Sequence, residues 1–298
     1  MDAARSAGIR KVLWVVLAAN VGVAVAKLVV GLLAESLAVQ SDAVHSGVDA
    51  LNTVIGLVAV ALAAAPPDER HAYGHAKIET LAAFVVACLV LLTAMELGRS
   101  AILRLFADDP TPAGTSFLVP AVMGATLAVN IAISTYEMRA GRRLRSSLLQ
   151  ADAAHTGSDA LVTTAVLVSW GLARAGVPHA DPVAALVVVF FIAWIGVGLL
   201  RRTVPVLLDA QFISAERLED AILTVPGVEG CDRLRSRGMG DEAFLECRIR
   251  VAPGADAVAA HHVTEAVEGA LERAFSIPRP NITIHVEARA GRARGGDQ

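Results

Sequence analysis

The sequence predicts a membrane protein in two parts: an all-α domain of six transmembrane helices, then an α+β cytoplasmic C-terminal domain with the ferredoxin-like order αββαβ. Three observations predict it. Hydrophobic residues fill 55% of the 298 positions and charged residues 18%, with a mean hydropathy of +0.56, well above ordinary soluble domains. The apolar residues fall in runs of roughly 20, the length a helix needs to cross the hydrocarbon. Those runs stop near Leu208, beyond which apolar residues recur at the periods of short strands and helices. The expected domains are 1–208 in the membrane, 209–290 in the cytoplasm, and a disordered tail at 291–298.

The spans fall at 9–33, 37–64, 79–106, 115–138, 148–175 and 181–205. Glu35-Ser36 and the stretches 66–77, 108–114, 139–145 and 175–181 divide them. The first run is too long for a signal peptide and has no small-residue cleavage site, so it reads as a retained span. Basic residues collect at Arg5, Arg10 and Lys11, at Arg139, Arg142, Arg143 and Arg145, and at Arg201 and Arg202. The positive-inside rule then puts both termini in the cytoplasm of a multi-pass protein of the inner (plasma) membrane, with the lipid bilayer as its solvent.

After Asp209, a helix at 215–224 with Ser214 as its N-cap ends at Val225-Pro226-Gly227. Strands follow at 231–237 and 244–251. In the second, Leu245, Cys247, Ile249 and Val251 alternate with Glu246, Arg248 and Arg250, the period of a half-buried strand. A helix at 256–275 carries the stripe Val263, Val267, Ala270 and Leu271. Ile282, Ile284 and Val286 alternate in a last strand.

Net charge is -3 with no basic arm, which excludes nucleic acid as a partner. Cys88, Cys231 and Cys247 form no CxxC pair and read as core residues.

One pattern occurs twice. Span two contains Asp42-Ala43-Val44-His45-Ser46-Gly47-Val48-Asp49, and span five Asp152-Ala153-Ala154-His155-Thr156-Gly157-Ser158-Asp159. Positions i and i+4 share a helix face, so His45 with Asp49, and His155 with Asp159, each present a nitrogen and an oxygen to one point. Two imidazoles and two carboxylates suit tetrahedral Zn2+, and Fe2+, Co2+ and Mn2+ accept similar ligands. Ionisable groups in a membrane are costly to hold without partners, at roughly 2.5–3.5 kcal/mol each on insertion scales. The two copies run in opposite directions, as in an inverted repeat with a shared site near the midplane. Asp42 and Asp152, one turn before each histidine, lie on opposite sides of the site and either act as a relay, Asp152 on the cytoplasmic approach and Asp42 on the exit, or orient their histidines or cap nearby backbone.

At these residues the sequence resembles the cation diffusion facilitator family of metal-proton antiporters, in particular its bacterial zinc and iron efflux members. The resemblance runs from Asn20 and Lys27 through Gly31 and Ser36 to His285-Val286-Glu287. It implies a homodimer that exports a divalent transition metal, zinc by preference with Fe2+, Co2+, Cd2+ or Mn2+ as other cargo, in exchange for protons. It implies no enzymatic activity. It assigns His45, Asp49, His155 and Asp159 to the transport site. It also assigns Asp68, His71 and His75, in the loop Asp68-Glu69-Arg70-His71-Ala72-Tyr73-Gly74-His75, to a second metal site, and Lys77 with Asp209 to a dimer salt bridge.

In the C-terminal domain the resemblance implies a dimerisation and metal-sensing module with Asp232, His261, His285 and Glu287 at ligand positions. Asp232 and Arg248 stand where relatives have histidines, and the arginine would repel a cation. Cys231 would add a soft ligand only if it pointed to the same face. A membrane metal sensor or scaffold that binds without turnover is the competing reading. An intramembrane metalloenzyme is weaker, because no His-Glu-x-x-His is present.

Overall fold

The computed structural model describes residues 3–33, 37–106, 118–175, 177, 180–239 and 242–288. The expected connections at Glu35-Ser36 and 108–114, part of 175–181, and the tail at 291–298 lie outside them. The chain divides into two compact units, Met1–Val204 and Pro205–Gln298.

The first unit is built from six long helices: α1 (Ala3–Leu33), α2 (Leu37–Ala63), α3 (Lys77–Leu105), α4 (Leu118–Arg143), α5 (Ser147–Arg174) and α6 (Ala180–Leu207), the last ending just past the unit's boundary. Among the described residues, four stretches are long and apolar enough to cross a membrane: Ala3–Leu33, Asp42–Ala63, Lys77–Leu105 and Pro182–Leu207. α4 and α5 are long enough but diluted by polar residues. Asn130, Ser134 and Glu137 interrupt α4, and Asp152, His155 and Asp159 interrupt α5.

α1 packs along α2, α4 along α5, and α3 against α5. Ile9, Leu13 and Val16 of α1 meet Val60 of α2, Ile133 and Ala140 of α4, and Leu148 and Leu149 of α5 in one apolar cluster. Val90 and Ala94 of α3 close on Val188 and Ile192 of α6. Trp14, Met95, Phe190 and Trp194 face outward, each more than 60% exposed, as lipid-facing side chains do. Two helix pairs approach at glycine. A Cβ on Gly31 would stand 2.9 Å from the Gln40 backbone nitrogen, and one on Gly141 would stand 3.1 Å from that of Gln150.

Arg5 anchors the ends of three helices. Its guanidinium donates to both carboxylate oxygens of Glu79 on α3, at 2.9 and 3.2 Å, and to the carbonyls of Leu144 and Arg145 beyond α4, at 2.8 and 2.9 Å. Arg145 takes a left-handed φ of 49°, which ends the turn after α4. Ser146 Oγ then accepts from Leu149 N at 3.2 Å and caps α5.

The second unit runs α7 (Ala215–Leu223), β1 (Val228–Met239), β2 (Glu242–Val251), α8 (Ala257–Phe275), a 3-10 turn (Arg279–Asn281) and β3 (Ile282–Ala288). The sheet order is β1-β2-β3, antiparallel then parallel. This is the expected αββαβ order, with β1 beginning three residues before the sequence periodicity predicts. Ser214 holds the N-cap position but its hydroxyl makes no capping bond; Asp256 caps α8 by accepting from Ala259 N at 2.7 Å. Leu245, Cys247, Ile249 and Val251 are buried with Leu218, Ile222, Val267 and Leu271 of the two helices. Burial pushes the Cys247 thiol up to about 12. Cys231 is buried in the same core, away from the wet face, so it is no ligand there.

Candidate metal centre

The duplicated motif sets two polar stripes against each other. His155 Nε2 on α5 lies 3.5 Å from Asp49 Oδ1 on α2 and 3.9 Å from Asp159 Oδ2 on its own helix. Ligand atoms of His45, Asp49 and Asp159 all lie within 4.8 Å of one another. His155 stands outside that group of three and reaches it through Asp49 and Asp159. Ligands roughly 2.0–2.1 Å from a tetrahedral zinc stand about 3.4 Å apart, so His155 and Asp49, at 3.5 Å, already have that spacing, while His45 and Asp159 would have to close on them to hold one ion.

Asp49 Oδ1 and His155 Nε2 are buried without a hydrogen-bond partner among the described residues. Such an atom costs about 1–3 kcal/mol when nothing answers it. A divalent cation between the helices would answer both. Thr53 and Thr163 donate to the backbone carbonyls of Asp49 and Asp159, at 3.1 and 2.8 Å, an identical bond in each copy.

The two aspartates before the histidines have different surroundings. Asp42 Oδ2 is 2.9 Å from Lys27 Nζ of α1, and Lys27, only 5% exposed, also donates to Ser46 Oγ at 2.8 Å. Asp152 is buried and faces Glu137 of α4, which is 0% exposed.

The loop between α2 and α3 brings its three expected residues together. Asp68 Oδ1 accepts from the backbone of Arg70 at 2.9 Å and of His71 at 2.6 Å, and sits 3.1 Å from His71 Nδ1. His75 Nε2 is 3.4 Å from Asp68 Oδ2, and the two histidine rings stand 4.4 Å apart. The three residues offer ligand atoms within 4.8 Å of one another. The backbone N–H of His71 holds the Asp68 carboxyl below its usual range, so it is a ready anion for a cation.

The C-terminal ligands do not assemble in this way. Asp232 is engaged by Arg248 Nε and by Arg250 Nη1, the latter at 2.8 Å, and Glu287 Oε1 accepts from Arg248 Nη1 at 2.9 Å. His285 pairs with Arg248 in the strand register. His261 turns to Glu265 on its own helix, 3.8 Å away. An arginine thus occupies the charge position between Asp232 and Glu287. Among the described residues, no metal-holding group of three appears in this unit. Asp209 lies 3.7 Å from Arg237 of β1.

Sequence reading missed Lys27 as a partner of Asp42, and it missed Glu137 altogether. The signal was present. His155 follows His45 by 110 positions, and the same offset, read backward, carries Gln40 to Gln150, Gly31 to Gly141, Lys27 to Glu137 and Asn20 to Asn130. The structure repeats the contacts too: Gln40 Nε2 donates to Gly31 O at 3.1 Å, and Gln150 Nε2 to Gly141 O at 3.4 Å.

Comparison with known proteins agrees with this architecture. The family model described as the cation efflux transmembrane domain matches residues 13–208, and that of the cation efflux protein cytoplasmic domain matches residues 212–289. The chain is 27% identical to an uncharacterized transporter of Methanocaldococcus jannaschii, over 93% of this chain and 98% of that one. It is 32% identical to metal tolerance protein C1 of Arabidopsis thaliana, over 91% of this chain and 60% of that one. It is 30% identical to the cation-efflux pump FieF of Salmonella arizonae, over 84% and 83% of the two chains.

Proposed function

The chain belongs to the cation diffusion facilitator family of cation efflux transporters, and on that premise we propose that its cargo is zinc, exported from the cytoplasm in exchange for protons. The observation that carries this reading is the meeting of His155 with Asp49 across two helices, with His45 and Asp159 beside them. Two imidazoles and two carboxylates drawn onto one ion would make a tetrahedral set that suits zinc. Fe2+, Co2+, Cd2+ and Mn2+ compete as cargo through the same donors.

Exchange follows from the ligands. Metal requires neutral imidazole and ionised carboxylate, so binding expels protons and arriving protons favour release. Histidine suits this work because its unperturbed pKa, about 6.5, lies near physiological pH.

The chain acts as a homodimer in the inner membrane with both termini cytoplasmic. Asp68, His71 and His75 hold a further metal ion on the cytoplasmic side. The Lys77 and Asp209 salt bridge of the dimer would have to draw Asp209 from Arg237. Purified protein in liposomes should move zinc in response to a pH gradient, and Asp49→Ala or Asp159→Ala should abolish the movement. Zinc binding without flux would overturn transport in favour of a membrane scaffold, and flux that persists in both variants would overturn the site.

A further inference from the structure

Lys27 and Glu137 occupy the same place in the two copies of the internal repeat, yet they carry opposite charge. In the first copy the ammonium of Lys27 neutralises Asp42 at 2.9 Å. In the second copy Asp152 meets a carboxyl instead, that of Glu137. Glu137 is 0% exposed, and neither of its carboxylate oxygens has a hydrogen-bond donor among the described residues. It lies one turn from Ile133 and Ala140 on α4, the face that packs on Ile9, Leu13, Val16, Val60, Leu148 and Leu149.

We propose that Glu137 and Asp152 form a proton-binding site, in which one shared proton takes the place that the charge of Lys27 holds in the other half of the molecule. Two carboxylates cannot both stay ionised side by side in an apolar enclosure, because neither desolvation nor mutual repulsion is answered. A single proton removes the repulsion and supplies the hydrogen that both acceptors lack. Among the described residues, no lysine or arginine figures among the charged groups that act on the pair. α1 and α2 turn aliphatic side chains to that face of α4, and Arg5 is spent on Glu79 and the carbonyls of Leu144 and Arg145. The charged groups that act on Asp152 besides Glu137 are His155, one turn along α5, and Asp49 of α2.

That position couples the proton to the cargo. When a divalent cation settles on His155 and its partners, its charge favours the doubly ionised pair, and the shared proton leaves to water. When the cation departs, a proton from water restores the pair. The pair therefore contributes a proton to the exchange beyond those displaced from the ligands themselves. This role rests on the proposed metal site.

Proton release on zinc addition, measured in weakly buffered detergent solution beside bound zinc, tests it. Glu137→Lys rebuilds the pairing of the first copy and should bind zinc while releasing about one proton fewer per zinc than wild type. An unchanged proton count with zinc still bound overturns the proposal. If Glu137→Lys fails to fold, infrared difference spectra of wild type and Glu137→Gln decide. The carbonyl band of a protonated carboxyl should fade from wild type on zinc addition and be missing from the difference spectrum of the variant. A wild-type spectrum without that change, or the same change in Glu137→Gln, overturns it. Wild-type protein that binds no zinc at all would instead defeat the metal site on which the proposal stands.

Discussion

His155 Nε2 lies closer to Asp49 Oδ1 of α2, at 3.5 Å, than to Asp159 Oδ2 of its own helix, at 3.9 Å. The proposed site is therefore made between helices, and any motion of α2 against α5 would open or close it. A transporter needs this property, since a site held within one rigid helix could not exchange its access by helix rocking.

Removing either member of that contact should weaken zinc binding sharply. Asp49→Asn and His155→Ala should each lower affinity by at least the roughly 10- to 100-fold that loss of even an outer partner of a ligand costs. Competition against a fluorescent zinc chelator measures it, and near wild-type affinity in both variants would remove these residues from the site.

His45→Asp replaces a nitrogen ligand with an oxygen. Softer metals lose more than harder ones by this exchange, so the ratio of zinc to manganese affinity should fall while manganese binding is kept or strengthened. Competition titrations with the two ions read the ratio directly.

Asp68→Ala should remove one bound zinc per chain, because it takes away the carboxylate that both loop histidines face. His75→Ala should do the same. Equilibrium dialysis with metal analysis counts the ions, and an unchanged count would show that the loop binds none.

Glu79→Ala leaves the guanidinium of Arg5 buried without its carboxylate, with side-chain exposures of 9% and 4% for the pair. Breaking a buried pair on one side costs about 3–5 kcal/mol. The variant should unfold at lower temperature in detergent, while Glu79→Gln, which keeps an acceptor, should lose less.

Asp232 makes the stability of the C-terminal domain depend on acid. Its bond to Arg248 holds its carboxyl below the ordinary value of 3.8. A folded-state value below the unfolded one means that the stabilisation is complete above the ordinary range and fades as pH falls through the depressed value. Hydrogen exchange across 212–288 should show Asp232→Asn less protected than wild type at neutral pH. The difference should narrow as pH falls below the ordinary carboxylate range.

Much of this was legible in the sequence. The apolar runs gave six helices because a bilayer leaves the backbone few other ways to satisfy its hydrogen bonds. The alternation of Leu245, Cys247, Ile249 and Val251 marked the buried face of β2 because a strand repeats every two residues. His45, Asp49, His155 and Asp159 were visible because a helix repeats its faces and the motif occurs twice. Residues without a local period were not. Arg5 binds Glu79, 74 positions away, and Arg248 reaches Glu287, 39 positions away. Ion pairs of that kind leave no pattern along the chain.

The duplicated motif belongs between these cases. Sequence by itself determined that two copies of an imidazole and carboxylate stripe exist, since helical spacing fixes which side chains share a face. Only the tertiary structure decided that His155 meets Asp49 before Asp159, and that Asp42 has a lysine where Asp152 has a glutamate. Which groups meet across two helices depends on how close their backbones come. Here the bare Cα positions of Gly31 and Gly141 admit α2 to α1 and α5 to α4, which sets Asp42 by Lys27 and Asp152 by Glu137 through packing that no local rule records.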